Sequence, residues 1–444
     1  MAKSSLPSEL AKLPSGSVAK VTGPIARFMH VEAASGIVLV IATAVALVLA
    51  NSSYSEGFLG FWKTTVGFTI GDFSMQHSLK HWINDALMAI FFFVIGLEVK
   101  RELVLGELRE PSRAVLPVVA ALGGMVVPVG LFLMLQSGGV GERAWGVPMA
   151  TDIAFVVGCL ALLGPRVPGS LRILLLSLAI VDDIGAILVI AIGYTEQVHG
   201  MALGIGIGAI GLIAVLNYVG VRAVGVYVMV GTISWLGFHE SGVHATLAGV
   251  VIGLMTPARS WVDKGLLSDI VRRTSDGLHG KGWDATSQEP AAIRHVEAAA
   301  RETTSPLERL EHGLHPWVAY LIMPVFALAN AGVPFELADL QDPVALAIVV
   351  GLGVGKPLGV FSFSFLAVKM GLTKLPDGVG WGALTAGGVL AGIGFTMALF
   401  IAGLALDGDV LDSTKVGVLA ISAVCAVVGT VALRMLLPAP KPAE

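Results

Sequence analysis

Charge is scarce in this chain. Asp, Glu, Lys and Arg make up 14% of its 444 residues, against about 25% in a typical soluble domain. A soluble all-α protein of this composition would have to hide a dozen apolar helices, and that reading is set aside. Cysteine is scarcer still. Only Cys159 and Cys425 occur, each inside an apolar run, which suggests neither a disulfide framework nor a zinc site. Both read as small buried apolar side chains. The first residues are polar and mixed and lack an apolar stretch followed by a cleavage site, so no secretory leader is expected. The net charge of −4 is small and its components are unevenly placed, and no nucleic-acid partner is expected.

Apolar residues and glycine are abundant. Hydrophobic residues reach 55%, glycine numbers 55, and the mean hydropathy is +0.82. A hydrocarbon core needs roughly 20 apolar residues per helical crossing, and small residues let membrane helices approach closely. The chain supplies twelve candidate spans: 36–52, 83–99, 114–136, 144–164, 171–194, 201–218, 220–238, 242–257, 316–333, 344–367, 382–404 and 414–436. The expected fold is an all-α polytopic membrane protein, with membrane lipids as its surroundings. An even number of crossings puts both termini on one side. Of the 28 Lys and Arg, only Lys63, Lys80, Arg143 and Lys415 fall on the opposite side, and Lys356 lies within a span. Basic loops stay cytoplasmic, so both termini are expected there.

Two loops stand out. In the outer loop 53–81, FWKTTVGFTIGDFSM alternates β-branched and aromatic residues around Gly71-Asp72, the pattern of a short hairpin. The cytoplasmic loop 258–312 is long and mixed in charge. Its first part reads as flexible, and IRHVEAAARETTSPLERLEHGLH reads as helical on either side of Pro306. An internal repeat is also suggested. Spans three to five and ten to twelve each have an interrupted middle helix, at Pro148–Asp152 in span four, and at Gly387-Gly388 and then Gly392–Thr396 in span eleven. Paired broken segments in two halves point to a transporter binding site.

The chemistry concentrates in LRILLLSLAIVDDIGAILVIAIGY, residues 171–194, where Asp182 and Asp183 interrupt an apolar span. A charge in hydrocarbon costs several kcal/mol, so the pair must face water, bind a cation or carry protons. Asp152 and Lys356 are the other ionisable groups deep within spans. An ion pair with Lys356 accounts for one carboxylate, not three. Neighbouring helical residues point about 100° apart, so one aspartate can face an aqueous cavity while the other meets a partner. Carboxylates in a low dielectric can exchange protons near neutral pH. They also supply the oxygen ligands that a dehydrated Na⁺ or Li⁺ requires, as hard cations do, and Thr151 can add a hydroxyl. Competition of proton and cation for one site, open to one side at a time, gives antiport. Asp152 follows the break in span four, where a half-helix begins with unsatisfied N–H groups; electrostatic support of that end is its simpler reading. Asp85 marks the outer end of span two, and Glu98, Lys100, Arg101 and Glu102 its cytoplasmic end. Their simplest reading is interfacial charge. Glu311, His312 and His315 open span nine, where histidines can respond to pH.

Seven segments carry a family resemblance: INDALMAIFFFVIGLEVKREL, MATDIAF, LAIVDDIGAI, SGVHATLAGV, RLEHGLHPWVAYLIMPVFALANAG, GVGKPLG and GIGFTMALF. In this order, from about residue 26 to 435, the chain resembles the NhaA family of bacterial sodium/proton antiporters, itself a known example of inverted repeats with broken helices. The resemblance implies twelve transmembrane helices, with spans four and eleven interrupted and crossing. It implies electrogenic, pH-regulated export of Na⁺ or Li⁺ against a larger number of protons, by alternating access and without a cofactor, in the bacterial inner membrane.

The implied division is a cytoplasmic N-terminal segment (1–35), an interface domain of spans one and two with the outer hairpin (36–113), and a core domain of spans three to five (114–199). Linker spans six and seven follow (200–241), then interface spans eight and nine with the long loop (242–340), core spans ten to twelve (341–436) and a cytoplasmic tail (437–444). The hairpin would help form a homodimer. By motif position, Asp183 resembles the principal cation carboxylate, and Asp182 its partner and proton carrier, paired with Lys356. Thr151 and Asp152 resemble the broken-helix residues beside the site, and Asp85 the outer acid. Glu98, Arg101, Glu102, Glu311, His312 and His315 resemble a cytoplasmic pH-sensing funnel. Three features depart from the family: the length of loop 258–312, the Pro-rich tail, and Glu308 where a basic residue is common, which would alter the funnel's charge.

Other functions fit less well. An intramembrane aspartyl protease needs carboxylates from two helices sharing a water, usually with Gly-x-Gly-Asp, which is absent here. A channel would show a filter motif. A carrier of organic solutes would need more hydrogen-bonding and aromatic residues around the aspartates.

Overall fold

The computed structural model describes residues 32–438, apart from 72, 196, 197, 222, 279–288 and 337. The N-terminal segment and the end of the Pro-rich tail lie outside the described residues. Helix α1 (Glu32–Ala50) is followed by the short α2 (Ser55–Lys63), bent 113° from it. The strands β1 (Thr65–Ile70) and β2 (Phe73–Ser78) pair antiparallel, from Thr65↔Ser78 to Ile70↔Phe73. Gly71 takes φ +61° at the turn, a conformation that costs glycine little. The hairpin thus sits where alternation suggests it; α2 before it is an addition.

Next come α3 (Leu79–Val104), α4 (Pro111–Gln136), a 3₁₀ segment (Glu142–Met149) leading to α5 (Ile153–Leu163), and α6 (Gly169–Gly193). Then follow α7 (Gly200–Val219), α8 (Val224–Ser241) and α9 (Thr246–Met255). The loop 258–312 contains α10 (Lys264–Leu278) and α11 (Glu289–Glu302). The chain continues with α12 (Pro306–Asn330), α13 (Pro343–Lys369), α14 (Trp381–Ala391), α15 (Phe395–Ala405) and α16 (Gly408–Leu436). Among the described residues, eight helices are long and apolar enough to cross a membrane, or ten if each bent pair counts as one span. Ten of the sequence-derived spans coincide with these helices or bent pairs; 220–238 and 242–257 fall on α8 and the ten-residue α9, which do not count among them.

The outward surface agrees with a lipid environment. Ile192, Met201, Tyr218 and Met435 are more than four-fifths exposed on apolar helices, an arrangement that water penalises and lipid does not. Inside, glycines set the closest approaches. A Cβ on Gly123 of α4 would strike the Gly359 carbonyl of α13, and one on Gly359 would strike that of Gly123. The two backbones meet where only hydrogen fits. Gly96 of α3 and Gly253 of α9 do the same: a Cβ on Gly253 would lie 2.9 Å from the Gly96 Cα.

Two expectations need correction. The first part of loop 258–312 is helical at Lys264–Leu278 rather than flexible, and residues 279–288 of the same stretch lie outside the described residues; the apolar residues of α10 share one face, and it packs along α11. The loop closes on itself, with Trp261 and Val262 N–H donating to the Glu302 carbonyl at 3.1 and 3.2 Å. Gly387-Gly388 does not interrupt its span, because both residues lie within α14. In hydrocarbon no water replaces a broken helical hydrogen bond, so glycine alone does not open a helix.

Candidate functional site

The two broken spans meet at their breaks. After Met149 the chain runs extended through Ala150–Asp152 before α5 begins, and between α14 and α15 it leaves the helix at Gly392–Gly394. Asp152 N–H donates to the Ile393 carbonyl at 2.7 Å. The Asp152 side chain then caps two half-helices at once. Its Oδ1 accepts from Phe155 N–H at 3.0 Å, in the first turn of α5. Its Oδ2 accepts from Thr396 N–H at 3.1 Å, and from the Thr396 hydroxyl, at the start of α15. Both helix N-termini direct partial positive charge at this one carboxylate, which is how a residue only 1% exposed stays tolerable there. Phe395 N–H is satisfied separately by the Ser422 hydroxyl of α16 at 3.1 Å.

Beside the breaks, α6 and α13 bring Asp182 and Lys356 together. Lys356 Nζ donates to Asp182 Oδ2 at 2.6 Å, with both side chains fully buried. A π-helical turn, Gly351–Gly355, immediately precedes the lysine. Thr151 Oγ1 lies 2.7 Å from the same Asp182 oxygen and 2.9 Å from the Ala391 carbonyl at the end of α14. Both neighbours accept, and a threonine hydroxyl has one proton. It can serve only one of them fully, unless Asp182 brings a proton of its own. Asp182 Oδ1 has no hydrogen-bond partner among the described residues.

Asp183 points elsewhere, as helix geometry requires. It is 3% exposed and makes no hydrogen bond or ion pair with a described residue. Its charged neighbours are Glu98 of α3, Asp182, Asp152 and Lys356. Within this cluster Asp152 is compensated by two helix ends and Asp182 by Lys356. Asp183, like its neighbour Glu98, has neither a hydrogen bond nor an ion pair with a described residue.

The remaining candidate residues divide. Arg101 pairs with the buried Glu311 at 2.5 Å, joining α3 to α12. Glu102 turns away from that pair and accepts from Ser177 Oγ of α6 at 3.1 Å and Glu107 N–H at 2.9 Å. His312 is exposed and lies 2.8 Å from the Glu308 carbonyl of its own helix. His315 has His312 and Arg101 as charged neighbours. Glu308 forms a capping box with Ser305 at the start of α12, and its carboxylate is still one of the charged groups that act on Glu311. Asp85 is remote from the cluster, 2.9 Å from His239 Nδ1.

Sequence reasoning named Thr396 only as part of a break and overlooked Ser422 and the Asn84–Asn330 amide pair, joined at 2.8 and 3.3 Å. A hydroxyl directly after a glycine break is the signal that would have flagged Thr396 as a cap partner. If Asp152 holds both half-helices, Asp152→Ala costs about 1–4 kcal/mol, from two caps at about 0.5–2 each, read as a lower melting temperature in detergent. Asp152→Asn, which keeps an acceptor, should lose less. Equal melting of both variants and wild type would contradict the double cap.

Broken helices meeting beside buried carboxylates define a membrane-embedded transporter rather than an enzyme. Residues 26–433 match the Na+/H+ antiporter 1 family, and the chain belongs to that family. It is 55% identical over 417 residues to a protein named Na(+)/H(+) antiporter NhaA from Rhodopirellula baltica, covering 94% of this chain and 95% of the relative. A protein of the same name from Rhizobium meliloti is 52% identical over 430 residues, covering 96% and 98%. A third, Na(+)/H(+) antiporter NhaA 2 from Vibrio vulnificus, is 47% identical over 425 residues, covering 96% and 95%. Membership of an antiporter family calls for no cofactor.

Proposed function

We propose that this chain exports Na⁺ or Li⁺ in exchange for protons by alternating access, with Asp183 as the principal cation carboxylate. The observation that carries this reading is Asp183 itself, a buried carboxylate beside two helix breaks with no hydrogen bond or ion pair to a described residue. A bare cation or a proton supplies the missing charge, and the two compete. Asp182 is the second proton carrier. When ionised, it takes the Thr151 proton and Lys356. When protonated, it can donate to Thr151, freeing that hydroxyl to bond the Ala391 carbonyl at the α14 end. Proton loading is thereby tied to the position of a half-helix. Two exchangeable carboxylates against one monovalent cation make the cycle electrogenic, with more protons entering than cations leaving.

The same reading places twelve crossings in a bacterial inner membrane, with both termini cytoplasmic. Inverted repeats of spans three to five and ten to twelve form the core, and the interface domain carries the hairpin that pairs two protomers. Glu98, Arg101, Glu102, Glu311, His312 and His315 form the cytoplasmic entrance that sets the pH response. Glu311→Gln, which breaks the Arg101 pair, should shift the pH dependence of exchange more than His312→Ala and leave the Na⁺/Li⁺ preference unchanged. An altered preference would contradict the assignment.

The exchange itself is tested in inside-out vesicles with an imposed pH gradient. Na⁺ or Li⁺ should collapse the gradient and K⁺ should not. Equal action of K⁺ would sink the proposal. A carrier of organic solutes of the same fold is the alternative, and no observation at the site favours it.

A further inference from the structure

Three histidines converge away from the buried carboxylates, where the hairpin meets α3 and α8. His77 lies on β2, His81 in the first turn of α3, and His239 near the end of α8. The His77 and His81 rings stack with centroids 4.2 Å apart, and the His239 ring lies 5.2 and 5.5 Å from them. One ring nitrogen from each falls within 4.8 Å of the others. Trp235 stacks on His239 at 5.6 Å and Trp82 on Trp235 at 6.3 Å, which restrains the His239 ring.

The hydrogen bonding selects a tautomer. Ionised Asp85 is acceptor-only, so His239 Nδ1, at 2.9 Å, carries the proton that bonds it. In the neutral ring His239 Nε2 is then the lone pair, and it accepts from His77 Nε2 at 3.4 Å, a contact that a bound ion would replace. A tetrahedral zinc-class ion with N ligands at 2.0–2.1 Å holds those nitrogens about 3.3 Å apart. A carboxylate behind the far nitrogen of a ligating histidine is the usual means of fixing its ring. The third nitrogen is present too: His81 Nε2 is buried, has no hydrogen-bond partner among the described residues, and lies 3.6 Å from Asp85 Oδ2. With all three nitrogens within 4.8 Å of one another, closing to tetrahedral spacing takes at most about 1.5 Å of side-chain movement. An open cavity of about 950 Å³, lined by Ser74, His77, Arg143, His199, His239 and Glu240, gives access from the hairpin side.

We propose that His77, His81 and His239 form a binding site for a divalent transition metal of the zinc class, with Asp85 holding His239 in its ligating tautomer. Imidazole nitrogens select such an ion over Na⁺, Li⁺ or Mg²⁺, so the site is chemically separate from the carboxylates of α6. A bound ion ties together three elements, the hairpin strand, α3 and α8.

The test uses purified, tag-free full-length protein in detergent, titrated with Zn²⁺ by calorimetry and with Co²⁺ by visible absorption. The expected result is one equivalent per chain, tetrahedral Co²⁺ bands, and a higher melting temperature with Zn²⁺. Asp85→Asn should weaken binding roughly 10- to 100-fold, and His77→Ala or His239→Ala at least as much. The Co²⁺ bands of the wild type decide the matter even if a variant fails to fold. Absence of stoichiometric binding, octahedral Co²⁺ bands, or unchanged affinity in both histidine variants would overturn the site. None of these readouts involves Na⁺ movement, so they stand or fall apart from the proposed exchange.

Discussion

Asp183→Asn should reduce Na⁺-driven proton movement to the level of vesicles lacking the protein, yet leave the melting temperature unchanged or raised. The two halves of this expectation come from one observation. Asp183 is buried, at 3% exposed, and no hydrogen bond or ion pair with a described residue compensates its charge. Asparagine keeps the shape and removes both the negative charge and the proton-binding site. A cation with one fewer anionic oxygen has little reason to leave water, and no proton can replace it. The folded protein meanwhile no longer bears an unpaired carboxylate in low dielectric, whose desolvation costs several kcal/mol. Loss of transport with stability kept is the signature of a charge present for its ligand. Loss of transport with a large drop in melting temperature would place Asp183 among the structural residues instead.

Lys356→Ala should behave in the opposite way. The ammonium is fully buried and donates to Asp182 Oδ2 at 2.6 Å. Its removal leaves Asp182 with the Thr151 hydroxyl, which the Ala391 carbonyl also claims. Breaking a buried pair from one side costs about 3–5 kcal/mol, because the survivor is an uncompensated charge. The expected result is a clearly lower melting temperature in detergent. Adding Asp182→Asn removes the stranded charge and should restore much of the loss, since replacing both partners is far less costly than removing one. An unchanged melting temperature in Lys356→Ala would show that the pair does not hold α6 to α13. Failure of the double variant to recover would mean that packing of the long lysine stem, not charge, was lost.

These expectations rest on features that were unequally legible in the sequence. The aspartate pair stands out because charge in an apolar span is costly, and consecutive helical positions already require its members to diverge. Pro148 and the glycines at 392 and 394 mark real breaks. Gly387-Gly388 misleads, since glycine in hydrocarbon has no water to replace its helical bonds and stays in α14. Asp152's double role was half visible. Capping of its own half-helix follows from its place after the break, but the second cap depends on Thr396, which only the fold brings near. Glu308 was legible as a charge near Glu311, but its second role went unread, although Ser305 three residues earlier is a capping-box pattern. The histidine cluster stayed hidden for a similar reason. His77 and His81 are four residues apart, but they straddle the end of a strand and the start of a helix, and His239 arrives from α8.

The central claim is that Na⁺ and H⁺ compete for the carboxylates of α6. The most direct test is proton release on adding Na⁺ to purified protein in weakly buffered detergent solution, followed with a pH indicator. The account predicts that Na⁺ and Li⁺ release protons in saturable fashion, that K⁺ releases none, and that Asp183→Asn abolishes the signal. Saturable Na⁺ binding with no proton release would contradict it.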